Sequence, residues 1–352
     1  MTTLSALSFS LALILFSFIL TSALIIPFID ILYRFKLTRR KEASKVKGKM
    51  SLFDSLHDIK AGTPVGGGIL IIIVVSILFA FIIFFTSHMG VSIKSSFLFR
   101  QEVFIIFFTF ISFGVVGLFD DILKIFGKPK AGTLGMWFGL SRRQKFVIQW
   151  IIAIIIAYFL YNKLGIQILH IPLFDKTINL GVYYIPFAAF VIVSFANAFN
   201  ITDGLDGLSC GLLVICLGAF AAISTAFLDT PLSVFIALLL GALIAFLYFN
   251  VYPARIHLGD VGSLSFGAIL ALIGLLTGSI IALVVIGGIF FIEILSSALQ
   301  IIGWKVLKKP ILPLAPIHHS FLAIGWEEPK IVMRAWLAGI ILAIFGLWLA
   351  TI

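Results

Sequence analysis

The amino-acid sequence predicts an all-α polytopic membrane protein with about ten transmembrane helices. Hydrophobic residues make up 61% of the chain, and its mean hydropathy is +1.21. The apolar residues form continuous runs of the length that crosses a bilayer, roughly 17 to 25 residues. Because backbone groups find no water in the hydrocarbon layer, such runs pair their own N–H and C=O groups as helices. The runs do not alternate apolar with polar residues, which argues against an outer-membrane barrel.

Ten apolar spans account for most of the chain, which we treat as a single integral membrane domain, 1–352. The eighth and ninth spans are separated only by Thr277-Gly278-Ser279. In the connection after the fourth span, residues 169–180 are expected to form a small extracytoplasmic hairpin. The predicted spans cover residues 5–32, 67–86, 103–119, 146–161, 182–199, 207–228, 231–249, 263–278, 279–303 and 331–351.

The basic residues divide the connections between spans into two sets. Of the 25 Lys and Arg, 21 lie in residues 33–66, in residues 120–145, at Arg255, and in the last connection with the foot of the tenth span. The other set of connections holds Lys94, Arg100, Lys163 and Lys176. The positive-inside rule therefore predicts that the first set is cytoplasmic and that both termini are extracytoplasmic. The net charge of +10 is then a topological signal, and no nucleic-acid partner is expected.

Cys210 and Cys216 lie six residues apart in one predicted helix, and we interpret both as apolar packing residues. No cleavable signal peptide is expected, because basic residues follow the first apolar run and do not precede it.

Four polar stretches fall at the predicted cytoplasmic ends of spans, and the longest is A-N-A-F-N-I-T-D-G-L-D-G-L, residues 196–208. Asn200, Asp203 and Asp206 are three residues apart, so in a helix they would share one flank. Thr202 or Asp203 is expected to cap the following helix, whose free N–H groups suit a phosphate-bearing ligand. The alternative is a polar turn that only joins two membrane helices, although aspartate is costly near hydrocarbon.

Two further stretches carry carboxylates. Asp120-Asp121 ends the third span, where one side chain can face a metal while the other binds or accepts a proton. A simple stop signal for the span is the alternative. In H-L-G-D-V-G-S, residues 257–263, Asp260 stands on a glycine-flanked turn that suits Mg²⁺ bridged to phosphate oxygens, and Ser263 is a candidate helix cap.

The fourth stretch, P-I-H-H-S, lies in the long connection between the ninth and tenth spans. His318 and His319 can donate hydrogen bonds to phosphate or carry protons at neutral pH. A zinc site is the competing interpretation, but no cysteine or further histidine stands nearby at ligand spacing.

Three other residues carry a charge that needs an explanation. Lys60 opens K-A-G-T-P-V-G-G-G, which lacks the G-K-[ST] ending of a phosphate loop and so does not indicate a nucleoside triphosphatase. Lys60 and Lys145 are candidate anion binders, with a solvated topological role as the alternative. Glu293 is the only acid deep in a predicted span, and it is expected either to face a cavity or partner or to have a hydrogen-bonded structural role.

Five motifs, in this order, resemble the polyprenyl-phosphate N-acetylhexosamine-1-phosphate transferase superfamily, and within it the phospho-N-acetylmuramoyl-pentapeptide-transferases. The motifs are K-A-G-T-P-V-G-G-G, G-L-F-D-D-I-L-K, N-A-F-N-I-T-D-G-L-D-G-L, P-A-R-I-H-L-G-D-V-G-S-L and A-P-I-H-H-S-F-L-A-I-G-W-E-E-P-K-I-V-M-R-A-W, and they span residues 60–336. The Asp-Asp and Gly-Asp pieces are weak signals alone, whereas the ordered set is specific.

The resemblance implies transfer of phospho-MurNAc-pentapeptide from UDP-MurNAc-pentapeptide to undecaprenyl phosphate, which gives lipid I and UMP with Mg²⁺ as cofactor. It also implies a homodimer in the bacterial inner membrane with its active site at the cytoplasmic face. The implied catalytic residues are Asp120, Asp121, Asp260 and His318, with Asp260 as the metal ligand. The implied substrate-binding residues are Lys60, Lys145, Asn200, Asp203, Gly204, Leu205, Asp206, Asn250, His257, Ser263, Gln300 and His319.

Three positions depart from the family pattern. Ser320 stands where a third histidine is usual, His257 where a uracil-stacking phenylalanine is usual, and Val65 where threonine is common. None of these departures removes a carboxylate.

Two other functions remain open. A sister transferase that moves GlcNAc-1-phosphate shares most of the motifs, and the segment G-W-E-E-P-K-I-V-M-R-A-W is the feature that favours the muramoyl-pentapeptide enzyme. A secondary transporter also places acids and broken helices inside a bundle. The acids here gather at predicted cytoplasmic ends instead of mid-membrane, and no half-repeat is visible.

Overall fold

The computed structural model describes residues 3–39, 60–88, 95–126, 141–174, 176–226 and 229–352. Several basic residues that support the predicted topology lie outside these ranges: Arg40, Lys41, Lys45, Lys47, Lys49, Lys94, Lys128 and Lys130.

The described chain is built from helices and one short hairpin. In chain order the helices are α1 Thr3–Arg34, α2 Gly67–His88, α3 Phe99–Phe126, α4 Arg142–Leu164, α5 Tyr184–Thr202, α6 Leu208–Ala226, α7 Thr230–Asn250, α8 Gly259–Leu276, α9 Ile280–Ile286, α10 Gly288–Ile302, α11 Ile317–Ala323 and α12 Glu328–Thr351. Within the described ranges, ten helices are long and apolar enough to cross a membrane. The predicted all-α polytopic class and the number of spans are therefore confirmed.

Helix α8 lies at the centre of the bundle. In its span, Gly259–Leu276, 89% of the residues are buried, against 22% for the span of α1. Lipid tails are as apolar as leucine, so membrane helices associate where small residues allow close contact. A methyl group on Gly267 of α8 would clash with Ala196 of α5, and one on Gly68 of α2 would clash with Gly262 of α8. Glycines on several faces therefore let neighbouring helices enclose α8.

The connection between α4 and α5 contains the predicted hairpin. Strands β1 (Ile168–Ile171) and β2 (Lys176–Asn179) pair in antiparallel register, with Ile168 opposite Asn179. The hairpin predicted over residues 169–180 is confirmed to within one residue.

The ninth span differs from the prediction of one continuous helix over residues 279–303. Helix α9 ends at Ile286, α10 begins at Gly288, and a π-helical turn extends α10 to Leu307. Gly287 at the break has non-helical dihedrals, and a side chain there would clash with the Phe195 ring. The apolar run continues through this break, so Gly287 is the feature of the sequence that indicates it.

Glu293 is not the only buried glutamate of the described chain, although it is the one that lies deep in a predicted span. Glu102 in the first turn of α3 is fully buried, and its Oε2 accepts a hydrogen bond of 2.5 Å from Ser95 Oγ. The predicted third span began at residue 103, whereas α3 begins at Phe99.

The cysteines have the packing role that the sequence predicts. Cys210 and Cys216 are both buried and free, and Cys216 Sγ lies 3.3 Å from the carbonyl oxygen of Ile286.

Helices α3 and α8 touch at Gly117, where a methyl group would clash with the main chain of Asp260 and Val261. We expect Gly117→Ala to lower the thermal unfolding midpoint in detergent, with a loss of about 1–3 kcal/mol, because the added atoms force the two helices apart. Gly218→Ala in α6 is the matched control, since no described heavy atom beyond its own turns of helix lies within 4 Å of its new methyl group. Equal midpoints for the two variants would contradict the close packing of α3 on α8.

Candidate active site

Two aspartates and two lysines from three helices form the centre of the polar region. Lys124 of α3 places Nζ 3.0 Å from Asp120 Oδ2 and 2.9 Å from Asp260 Oδ2. Lys145 of α4 places Nζ 3.0 Å from Asp120 Oδ2 and also contacts Asp260 Oδ2. The side chain of Asp120 is 2% exposed and that of Asp260 is 14% exposed. The two ammonium groups offset carboxylate charges that would otherwise be costly to bury.

Asp121 binds backbone N–H groups, whereas its neighbour Asp120 faces lysines. Its Oδ1 accepts the backbone N–H of Asp260 at 3.0 Å, and its Oδ2 accepts that of Val261 at 3.0 Å. These N–H groups belong to the first turn of α8, which has no helical partners for them. The two adjacent carboxylates therefore project toward different partners, as predicted. A residue that only ends a membrane span would not need such specific contacts.

Asn200 at the end of α5 joins the same cluster. Its Nδ2 lies 3.1 Å from Asp260 Oδ1 and 2.7 Å from Ser263 Oγ. The expectation that Ser263 caps a helix is wrong, because α8 already begins at Gly259 and Ser263 lies inside it. The hydroxyl of Ser263 instead holds the amide of Asn200.

The polar stretch between α5 and α6 is a turn, so Asn200, Asp203 and Asp206 do not share a helical flank. Helix α5 ends at Thr202, whose hydroxyl donates to the carbonyl oxygen of Ala198 at 2.7 Å and does not cap α6. Asp203 accepts a hydrogen bond of 2.6 Å from the hydroxyl of Ser209 in α6. Burial raises the pKa of Asp203 to about 6.

A second polar network holds this turn to the start of α12. Lys60 Nζ lies 2.7 Å from Asp206 Oδ1 and 2.6 Å from Glu328 Oε1. Glu328 Oε1 also accepts the backbone N–H of Asp206 at 2.5 Å. The other carboxylate oxygen of Asp206 accepts the N–H of Ala254 at 3.0 Å. Lys60 is therefore paired with two carboxylates of the protein. This differs from both roles predicted for it, which were binding an anion and carrying a solvated charge.

The glycine-rich segment after Lys60 is bound to the loop before α8. Gly66 and Gly67 donate their N–H groups to the carbonyl oxygen of His257 at 3.2 and 3.0 Å, and Gly68 donates to Leu258 at 2.9 Å. A phosphate loop needs such N–H groups for its ligand. Their use within the fold agrees with the prediction that this segment is not a nucleotide-binding P-loop.

His257 lies next to the Lys60 network. Its Nδ1 is 3.9 Å from Asp206 Oδ1, and its side chain is 15% exposed. Burial lowers the pKa of His257 to about 4, so the imidazole is neutral at physiological pH.

His318 in the short helix α11 is held by Glu293 of α10. The distance from His318 Nδ1 to Glu293 Oε2 is 2.9 Å, and both side chains are buried. The ring of His319 lies 4.2 Å from that of His318, measured between centroids. Glu293 therefore has a hydrogen-bonded partner, which is compatible with both roles predicted for it from the sequence.

The remaining predicted binding residues have local contacts. Asn250 Nδ2 donates to the carbonyl oxygen of Ile256 at 2.9 Å. Gln300 bonds to the main chain of the loop after α10. Leu205 is buried in the apolar core. Ser320, which replaces the usual histidine, accepts the N–H of Leu314 at 3.3 Å and contacts its carbonyl oxygen.

The structure thus brings the predicted residues together in three connected groups, around Asp260, Lys60 and His318. Sequence reasoning missed Lys124 and Glu328. Lys124 follows Asp120 by four residues, a helical spacing that places both on one face and was a usable signal. Glu328 contacts residues more than 120 positions away, which no local pattern reveals.

The comparison of sequences defines the class of protein. Residues 103–278 match the model of Glycosyl transferase family 4, and this match includes Asp120, Asp121 and Asp260. The chain belongs to that family.

Similarity to individual relatives indicates a more specific type of protein within this family. The chain is 36% identical over 340 residues to a phospho-N-acetylmuramoyl-pentapeptide-transferase of Geobacillus sp. (strain WCH70), covering 96% of each chain. It is 34% identical over 332 residues to the protein of that name from Bacillus subtilis (strain 168), covering 94% of each. A relative of the same name from Clostridium novyi (strain NT) is 36% identical over 292 residues, which cover 82% of this chain and 83% of the relative.

We expect Glu328→Gln to lower the thermal unfolding midpoint in detergent, because the amide cannot pair with the charge of Lys60. The side chains of Lys60 and Glu328 are 13% and 12% exposed, so a loss of about 1–3 kcal/mol is expected. Glu327→Gln is the matched control, because the neighbouring Glu327 is exposed. A midpoint that falls equally in both variants would show that the Lys60 pair contributes nothing specific.

Proposed function

We propose that the protein transfers phospho-MurNAc-pentapeptide from UDP-MurNAc-pentapeptide to undecaprenyl phosphate, giving lipid I and UMP for peptidoglycan synthesis. The cluster of carboxylates and lysines at the N-terminus of α8 carries this proposal. Lysine ammonium groups suit the phosphates of both substrates. The nearly full-length similarity to phospho-N-acetylmuramoyl-pentapeptide-transferases supports the choice of substrate.

The chemistry is the exchange of one phosphoanhydride (pyrophosphate) bond for another. An oxygen of the lipid phosphate attacks the phosphorus that carries the sugar, and the bond from that phosphorus to the UMP oxygen breaks with its electron pair. Lys124 and Lys145 supply positive charge where the phosphate oxygens gather. Direct attack and a two-step route through a covalent aspartyl intermediate both satisfy this balance.

Of the two adjacent carboxylates, Asp120 is the better candidate to orient or deprotonate the lipid phosphate. Both oxygens of Asp121 are engaged by backbone N–H groups of α8. Asp120 instead faces Lys124 and Lys145, to which a phosphate group is attracted.

We propose Mg²⁺ as the cofactor, with Asp260 as its protein ligand. Mg²⁺ prefers oxygen ligands and is commonly bound by one or two carboxylates together with substrate phosphates. Asp260 offers carboxylate oxygens of this kind, and Asp120, which contacts the same lysines, offers a second carboxylate. Among the described residues no three His, Cys, Asp or Glu side chains form a metal-binding group, which suits a site that the substrate completes. When bound, the ion would neutralise charge on the departing UMP.

The proposed setting is the bacterial inner membrane, with the active site at the cytoplasmic face, both termini outside, and a homodimer as the assembly. The distribution of Lys and Arg supports the orientation. The dimer rests on the resemblance alone.

We expect the purified protein in detergent to release UMP when UDP-MurNAc-pentapeptide, undecaprenyl phosphate and Mg²⁺ are supplied. UDP-GlcNAc, offered separately, should give no release, and EDTA should stop the reaction until Mg²⁺ is restored. Release with UDP-GlcNAc alone would instead identify the sister transferase. Ion-driven uptake into vesicles without UMP release would point to a transporter.

Asp260→Asn keeps the shape of the side chain but removes the charge that faces both lysines. We expect turnover to fall by at least about 100-fold while the thermal unfolding midpoint shows a folded protein. Asp30→Asn, at an exposed position of α1, is the matched control and should retain full turnover. Near-normal turnover of Asp260→Asn would overturn the role assigned to this carboxylate.

A further inference from the structure

Helix α10 carries a polar stripe on an otherwise apolar sequence. Glu293, Ser296 and Gln300 are spaced by three and four residues, so they project from one face of the helix. Glu293 and Ser296 are buried. Polar side chains at such positions are costly unless they have partners.

All three residues of the stripe bind the segment that carries the histidines. Gln300 Oε1 accepts the N–H groups of Ile311 and Leu312 at 3.1 and 2.9 Å, and its Nε2 donates to the Leu312 carbonyl oxygen at 3.0 Å. Ser296 Oγ accepts the N–H of Ile317 at 3.0 Å. Glu293 binds the imidazole of His318 itself, at 2.9 Å. The stripe therefore holds this segment at successive points, the last of which is a side chain of the proposed active site.

The contact with Glu293 distinguishes the two nitrogens of His318. An ionised carboxylate only accepts hydrogen bonds, so with Glu293 charged the shared proton is on Nδ1. The other nitrogen, Nε2, is buried and has no hydrogen-bond partner in the described structure. It lies against Gly204, where a side chain would strike it. Gly204 belongs to the turn that also carries Asp203 and Asp206.

We propose that Glu293 is a positioning residue that keeps the proton of His318 on Nδ1 and leaves Nε2 as the nitrogen that acts on the substrate. This inference rests on the proposed function, because it takes His318 as a residue that contacts the reacting phosphates. Glu293 acts only through the imidazole, since its carboxylate oxygen points at Nδ1. A buried carboxylate that orients a histidine in this way fixes both its tautomer and its ring plane.

The first test is the kinetics of Glu293→Gln. The amide keeps the size of the side chain but can donate as well as accept, so it no longer dictates where the proton of His318 lies. We expect kcat to fall by about 10–100-fold while KM for both substrates changes by less than about 2-fold. Glu293→Asp, which retains the charge, should recover part of the loss. A normal kcat in Glu293→Gln would overturn the proposal.

A double-variant cycle separates positioning from general structural support. In a His318→Asn background, adding Glu293→Gln should cause less than about a 2-fold further loss, because Glu293 acts through His318. Glu102→Gln is the matched control: Glu102 is also a buried glutamate, and it lies on α3 about 27 Å along the helix from Asp120. It should leave kcat unchanged. Additive losses in the double variant would contradict the proposal.

Nitrogen NMR of histidine-labelled protein gives a readout that needs no turnover. The His318 signals, assigned by their loss in His318→Asn, should show a protonated Nδ1 in the wild type and a mixture of tautomers in Glu293→Gln. An unchanged pattern would overturn the proposal even if activity fell. If the wild type shows this pattern but does not turn over UDP-MurNAc-pentapeptide, the proposed function fails while the pairing stands.

Discussion

The site depends on the way the N-terminus of α8 is buried against α3. The first turn of a helix leaves backbone N–H groups without partners, and an unsatisfied buried group costs about 1–3 kcal/mol. Asp121 satisfies two of these groups, at Asp260 and Val261. The approach is possible because Gly117 has no side chain at the contact. Gly117, Asp120, Asp121 and Lys124 follow the i, i+3, i+4, i+7 pattern, so one face of α3 supplies the close contact, the anchor and the charges.

The charges at this junction also compensate each other. A lone carboxylate at the edge of the hydrocarbon layer would be strongly unfavourable. Here each of Lys124 and Lys145 contacts both Asp120 and Asp260, so no charge in the group is left without an opposite partner. The lysine side chains are 32% and 15% exposed, so a ligand can still reach them. Substrate phosphates can therefore join the carboxylates as partners of these lysines, whereas displacing both lysines from the buried Asp120 would leave its charge unpaired.

The helical class, the ten spans and the hairpin were predictable because bilayer physics acts on local properties: apolar length, backbone pairing and turn residues. The charged residues of the candidate site stand out because charged groups are rare in this chain, whereas uncharged ones such as Asn250 and Gln300 were implied by the family resemblance alone. The internal contacts of the site were not predictable. Thr202, one of two candidate caps of the following helix, and Ser263, the candidate cap of the next span, lie instead inside α5 and α8. The break at Gly287 was missed because the residues on both sides of it are apolar, so hydropathy does not change where the helix is interrupted.

The histidine segment illustrates the remaining limit of sequence reasoning and its consequence for function. Its position depends on contacts with Glu293 and Gln300 of α10. Just after the segment, Glu328 at the start of α12 pairs with Lys60. Ser320, which stands where the resemblance leads us to expect a third histidine, bonds to the main chain of Leu314 within the segment, while His318 contacts Glu293. The carboxylate cluster and the histidine segment meet at the turn containing Gly204, which lies against Nε2 of His318, so the relative position of the two depends on contacts that no local sequence pattern reveals.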